Sequence, residues 1–177
     1  MAGACSEDDV VIRERQPADD AAIRRLNDQA FSGSYESRLV EDLRAAKLAA
    51  VELVATEGTA IVGHILFSQL AVTLGAKAVP ALTLAPMSVR PDRQRLGIGS
   101  ALVRAGLDLA RRREWHAVIV LGHPDYYPRF GFSAELARPI KAPFSGDAFM
   151  ALELMPGALP GGDGLVVYPP AFGLDRR

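Results

Sequence analysis

The stretch from Val79 to Leu121 restricts this chain more than any other. Val79 to Val89 reads as a largely apolar strand and Arg90 to Leu96 as a charged loop. Gly97 to Arg113 is an amphipathic helix with Ile98, Leu102, Ala105, Leu109 and Ala110 on one side. Val118-Ile119-Val120-Leu121 follows as a short apolar run, the pattern of a strand covered on both faces. Strand, crossover helix and strand in this order predict a right-handed βαβ unit. Pro86 interrupts the first strand, and proline has no N–H to give to a ladder. The strand therefore needs a bulge or an open side at that point.

The remaining segments supply neighbours for that unit. Val10 to Arg15 is a first strand, and Pro17 with Asp19-Asp20 starts a helix whose stripe is Ile23, Leu26, Ala30 and Phe31. Ser32-Gly33-Ser34 breaks it, and Tyr35 to Lys47 forms a second helix burying Leu39, Val40 and Leu43. Val51 to Thr56, then Thr59 to Leu74, are strands around a turn at Glu57-Gly58-Thr59. Asp125 to Phe130 makes a helical turn closed by Gly131, Phe149 to Leu154 a late strand, and Gly164 to Tyr168 a candidate edge strand. The order β-α-α-β-β-β-α-β-α-β predicts an α/β (α+β) fold with a mixed sheet and helices on both faces. Residues 1–9 read as a loose tail and 10–155 as the folded domain. Residues 156–177 read as a C-terminal loop and edge strand of that same domain.

Charge and cysteine usage exclude several roles. The net charge of −1 argues against a dedicated nucleic-acid binder, and Arg111-Arg112-Arg113 reads as a solvated helix end. Cys5 is the only cysteine, so neither an intrachain disulfide nor a multi-cysteine metal site can form. Met1 to Asp9 lacks the basic start and apolar run of a signal peptide. No run approaches the roughly 20 apolar residues that cross a bilayer. The expectation is a cytoplasmic protein without a membrane partner.

The loop before the long helix carries the chemistry. The first N–H groups of a helix lack internal partners and bear partial positive charge. Gly97 and Gly99 let phosphates approach that backbone, and Arg93 and Arg95 add cations, so the segment suits a pyrophosphate. A Walker loop needs a Gly-Lys-Ser/Thr ending, and here Gly99-Ser100 has no lysine. A Rossmann fingerprint needs a third glycine where Leu102 stands. Both readings fail.

Gln94-Arg95-Leu96-Gly97-Ile98-Gly99 matches Gln/Arg-x-x-Gly-x-Gly/Ala, the pyrophosphate signature of the GNAT N-acetyltransferase superfamily. Tyr126-Tyr127-Pro128-Arg129-Phe130-Gly131-Phe132 resembles its Tyr-x-x-x-Gly-Phe ending, and Gly122-His123-Pro124 is similar to a bacterial subgroup. The resemblance runs roughly from Val10 to Leu154 in element order and is motif-level between Leu82 and Phe132. It implies the GNAT fold, a central splayed mixed sheet flanked by helices, with acetyl-CoA as co-substrate and no metal. By that resemblance, Met87, Ser88 and Val89 hold pantetheine like an added strand. The loop and helix start, Gln94, Arg95, Leu96, Gly97, Ile98, Gly99 and Ser100, hold the pyrophosphate. Tyr127 takes the place of the general acid. The implied acceptor is a small-molecule or protein amine, and the implied assembly a monomer or homodimer.

Direct transfer to an amine makes further demands. An amine of pKa about 10.4 must lose a proton, at about 4–5 kcal/mol near pH 7, and the leaving thiolate must be met by a donor. The strand from Val79 to Val89 has no carboxylate, so His123, His64 and Glu36 are the candidate bases. His123 directly follows the strand ending at Leu121, at the carboxyl end where such sheets place sites. His64 lies in an apolar run and reads as a structural histidine; Glu36 reads as a solvent charge or a binder of a cationic acceptor. A non-catalytic acyl-CoA-binding or regulatory module on the same fold satisfies the same motifs, as does a nucleotide-phosphate binder. Small amines, amino acids, antibiotics and protein lysines all remain open as acceptors.

Overall fold

In the computed structural model, which describes residues 9–174, alternation and capping produce most of the expected elements. The tail reading and Cys5 fall outside the described residues, apart from Asp9. Strand β1 is Val10–Glu14, helix α1 Asp20–Phe31 and helix α2 Tyr35–Ala45. Strands β2, β3 and β4 are Ala49–Glu57, Ala60–Leu74 and Lys77–Val89. Helix α3, Ile98–Arg112, leads to β5, Ala117–Leu121. Short pieces follow: α4 Ala134–Ala137, β6 Ile140–Lys141, β7 Phe149–Glu153 and β8 Gly164–Val167. α4 and β6 are too short for any sequence period to reveal; Ser133 Oγ caps α4 by accepting from the Leu136 amide at 3.2 Å.

The strands form one mixed sheet in the order β1-β2-β3-β4-β5-β7. Only β4–β5 along that path is parallel, as the βαβ crossover requires. β3 is long enough to serve two neighbours on one edge: β2 pairs with it as far as Ser68, and β8 takes over from Ala71 to Leu74. α3 covers one face, packing Ile98, Leu102, Val103 and Leu107 against β2, β3, β4, β5 and β7. α2 and α4 lie on the other face with Leu39, Val40, Leu43 and Ala137. Burying each large aliphatic side chain contributes about 1.5–3 kcal/mol. No helix among the described residues is long and apolar enough to cross a membrane.

The sheet opens beside Pro86. Between Ile65↔Met87 and Phe67↔Leu84, one residue of β3 faces two of β4, Ala85 and Pro86, so the bulge sits where the proline demands it. On the opposite edge the β4–β5 ladder runs only from Ala81↔Ala117 to Leu84↔Val120. From Ala85 to Val89, β4 keeps β3 as its neighbour and pairs with no strand on its other side among the described residues. The splayed sheet is thus present.

Two glycines bring α3 close to the sheet. A methyl at Gly63 would lie 2.9 Å from Leu102 Cδ1 and 3.1 Å from Ile98 Cγ2. One at Gly106 would lie 2.7 Å from Phe67 Cζ, on a ring that is fully buried. In an open helix Gly→Ala raises stability. Gly106→Ala is expected instead to lower it by about 1–3 kcal/mol through overpacking, read as a reduced midpoint in urea unfolding. A midpoint equal to or above the parent's would contradict this packing.

Candidate active site

The head of α3 is built by backbone geometry. Arg95 and Gly97 have φ of 62° and 87°, and the second is a left-handed N-cap that a side chain would strain. The first helical bond runs from the Ala101 amide to the Gly97 carbonyl at 3.0 Å. The amides of Gly97, Ile98, Gly99 and Ser100 therefore have no partner among the described residues. Nor does the first turn hold an acidic residue. Gln94 Nε2 donates to the Val89 carbonyl at 3.1 Å, tying the loop to the strand end, while Arg93 pairs with Glu57 at 2.8 Å.

The open edge of β4 faces the same space. The Arg90 amide donates to the Val62 carbonyl at 2.8 Å, so Arg90 points toward β3. By the alternation of an antiparallel ladder Ser88 points there too, and the polar backbone groups of Met87 and Val89 point away, toward the gap. The Gln94 contact with the Val89 carbonyl agrees with this orientation. One cavity of about 960 Å³ joins these groups to Leu121, Gly122 and His123 at the end of β5.

Tyr127 forms the wall opposite. It is 7% exposed, and its hydroxyl has no hydrogen-bond partner among the described residues. Burial, and secondarily Tyr126, pushes its phenol up to about 12, so it remains a donor at any physiological pH. Its ring lies edge-on to Tyr126 and Phe132, at centroid distances of 5.1 Å and 5.7 Å. It fits there because residue 122 is glycine: a methyl would lie 2.7 Å from Tyr127 Cδ2. Tyr126 instead meets the helix start, its hydroxyl 3.0 Å from Ser100 Oγ and its ring under the Arg129 guanidinium at 4.5 Å.

Of the residues predicted from sequence, Met87, Val89, Gln94, Arg95, Gly97, Gly99, Ser100, His123 and Tyr127 line this one cavity. Ser88 is buried opposite His64, on the other face of the sheet. Ile98 is part of the core and the Leu96 side chain is 67% exposed; neither lines the cavity. The His123 carbonyl accepts from the Tyr126 and Tyr127 amides at 3.1 Å and 3.3 Å, so this residue also sets the turn. Glu36 lines the cavity, and its carboxylate forms no ion pair or hydrogen bond among the described residues. Thr83, Tyr168 and Phe172 were not singled out by the sequence, and Gly122 only as part of the Gly122-His123-Pro124 resemblance. Only the glycine beside a bulky Tyr-Tyr pair offered a local signal. No group of three or more His, Cys, Asp or Glu side chains that could hold a metal ion occurs among the described residues.

His64 belongs elsewhere. It is fully buried, with Nε2 2.8 Å from Glu52 Oε1 and Nδ1 3.3 Å from Asn27 Nδ2. A neutral ring donating from Nε2 and accepting at Nδ1 satisfies both contacts. Glu52 also receives Arg44, which reaches Asp20, itself paired with Arg15. This chain of charges lies outside the cavity and engages both ring nitrogens, as a structural histidine does.

A family model described as "Acetyltransferase (GNAT) family" matches residues 21–132. The chain is 40% identical over 125 residues to a protein named "Uncharacterized N-acetyltransferase YjhQ" from Escherichia coli, covering 68% of this chain and 67% of that one. It is 31% identical over 166 residues to "Uncharacterized N-acetyltransferase YhbS" of the same species, covering 92% and 98%. The crystal structure of YhbS in complex with CoA superposes with a TM-score of 0.84, over 93% of this chain and 92% of that one. A GNAT family acetyltransferase from Brucella melitensis in complex with acetyl-CoA gives a TM-score of 0.75 at 37% identity, over 93% and 98%.

The buried His64–Glu52 pair generates a pH dependence. Burial lowers the His64 imidazole, and the Glu52 hydrogen bond only partly opposes it. Burial raises the Glu52 carboxyl, but hydrogen bonds from His64 and Arg44 outweigh that and hold it at about 2. Both folded-state values lie below their unfolded ones. The histidine's share of stability is therefore complete above about 6.5 and lost as pH falls below it. The carboxylate's share is complete above about 4.5 and lost toward 2. The melting temperature should fall between pH 7.5 and 5.5, and fall less in His64→Gln. Equal slopes for the two proteins would rule this out.

Proposed function

The chain is an acyltransferase that belongs to the GNAT acetyltransferase family, and from that premise we propose that it moves an acetyl group from acetyl-CoA directly to a primary amine. What carries this reading is the meeting in one cavity of three features: the unpaired amides of Gly97, Gly99 and Ser100 heading α3, the unpaired edge of β4, and the partnerless Tyr127 hydroxyl. The diphosphate is held by the amides of Gly97 to Ser100, where partial positive charge and the nearby Arg95 favour it. The pantetheine arm pairs with the outward backbone groups of Met87 and Val89 and so takes the place that β5 has left. The co-substrate and both motifs belong together for a geometric reason, since strand edge and helix start sit at the same end of the crossover.

In the transfer, the amine nitrogen bonds to the thioester carbonyl carbon and the carbon–sulfur bond breaks. The ammonium gives up two protons overall, one ending on the sulfur and one in solvent. The products are an amide and free coenzyme A. An outward amide of β4 is placed to meet the developing oxyanion. Tyr127 acts on the sulfur. A phenol near 12 facing a thiol near 8.5 makes complete proton loss uphill by about 5 kcal/mol. Its contribution is then a hydrogen bond to the leaving thiolate, with His123 or water carrying protons from the amine.

Coenzyme A at 100 times its dissociation constant should add about 2.7 kcal/mol of stability, read as a thermal shift. No shift with coenzyme A or acetyl-CoA would sink the reading. Tyr127→Phe should lower kcat for thiol release about 10²-fold while acetyl-CoA binding stays within about twofold. Gly122→Ala should reproduce much of that loss with the hydroxyl still present, because the methyl displaces the ring. A Tyr127→Phe variant with unchanged kcat would remove this side chain from the chemistry.

A further inference from the structure

Beyond the thioester slot, the same cavity continues into a chamber of different chemistry. Its walls include Phe31 at the end of α1, Tyr35 at the start of α2, Phe144, and Tyr168 with Phe172 near the C-terminus. With Tyr126 and Tyr127, all four tyrosines of the chain line this one space. The chamber is fastened. Tyr35 donates its hydroxyl proton to the Phe172 carbonyl at 2.8 Å, which straps α2 to the C-terminal segment. Tyr168 stands edge-on between Phe144 and Phe172, at 5.5 Å and 5.1 Å. Phe31 and Tyr35, by contrast, leave their rings 41% and 50% exposed at the mouth.

Charge is divided along the cavity. Arg93, Arg95 and Arg129 line it with the loop and helix start, and Glu36 is the only carboxylate lining it among the described residues. Glu36 neighbours Tyr35 on α2 and forms no ion pair there, whereas Glu41 on the same helix is spent on Arg24 at 2.7 Å. A chamber of rings with one unpaired carboxylate favours an occupant that is apolar in body and positive at one point. We propose that the acceptor is an aryl-alkyl or similarly apolar primary amine, its rings held among Phe31, Tyr35, Tyr168 and Phe172 and its ammonium drawn in by Glu36. This deepens the acetyl-transfer reading and rests on it for turnover, though not for recognition. Polyhydroxylated amines and acidic peptides would leave their polar groups unpaired against the rings and are disfavoured for that reason.

The test uses the full chain with acetyl-CoA and four acceptors: phenethylamine, 4-phenylbutylamine, ethanolamine and spermidine. Thiol release should give kcat/KM values at least 50-fold higher for the two aryl amines than for ethanolamine. Glu36→Gln should raise KM for phenethylamine at least tenfold and leave the KM for acetyl-CoA within twofold. Glu41→Gln should change neither. Equilibrium binding of phenethylamine to the coenzyme A complex, measured by calorimetry, gives a readout independent of turnover and should weaken at least tenfold in Glu36→Gln. Turnover confined to ethanolamine or spermidine would overturn the acceptor class while leaving acetyl transfer standing. Glu36-dependent binding of phenethylamine without turnover of any amine would do the reverse. No measurable phenethylamine binding, or binding indifferent to Glu36→Gln, overturns the proposal.

Discussion

The cavity exists because the ladder between β4 and β5 ends at Leu84 and Val120. A parallel pair that continued would close the sheet and satisfy both edges. Here the bulge at Ala85 and Pro86 turns the end of β4 away, and the amide-bearing edge from Met87 to Val89 is left to find another partner. An unpaired internal edge costs free energy unless something supplies hydrogen bonds. An extended amide-containing arm can do so, and the head of α3 lies beside it to take the charged end of the same molecule.

That placement depends on close packing of one helix. Gly63 admits Ile98 and Leu102 to the face of β3, and Gly106 admits the Phe67 ring, so α3 is clamped at its start and at its middle. The direction in which the four free amides point is therefore set by contacts up to about two turns away as well as by Gly97. Gly122 repeats the device on a smaller scale, letting the Tyr127 ring rest on backbone. In both cases the missing side chain is structural, and its effect is to aim a functional group.

The charged interior and the site are kept apart. Arg15, Asp20, Arg44, Glu52 and His64 form a relay outside the cavity, next to α1 and α2. Breaking such a relay at one member leaves a buried charge unpaired, so its weight falls on folding and on the acid limit of stability. The titratable groups lining the cavity among the described residues are Glu36, His123, four tyrosines and Arg93, Arg95 and Arg129.

Much of the fold was legible in the residues, because the rules that apply act over a few positions. The stripe of α3, the apolar β5, the glycine-opened start of α3 and the ladder break at Pro86 each follow from local stereochemistry or period, whereas the left-handed N-cap at Gly97, read as the first helical residue, came only with the structure. Tyr127 was legible through its spacing from Gly131 and Phe132. Which face a side chain presents was not. Ser88 reads like its neighbours Met87 and Val89, yet register places it against His64, since adjacent strand residues point to opposite faces. The ring chamber was equally hidden: Phe31, Tyr35, Phe144, Tyr168 and Phe172 come from segments up to about 140 residues apart. The sequence alone determined the backbone that can receive a diphosphate, because helix ends and glycine torsions are decided within one turn. Only the tertiary structure decided what stands across from it, because distant segments are brought together by packing on the sheet and leave no periodic trace.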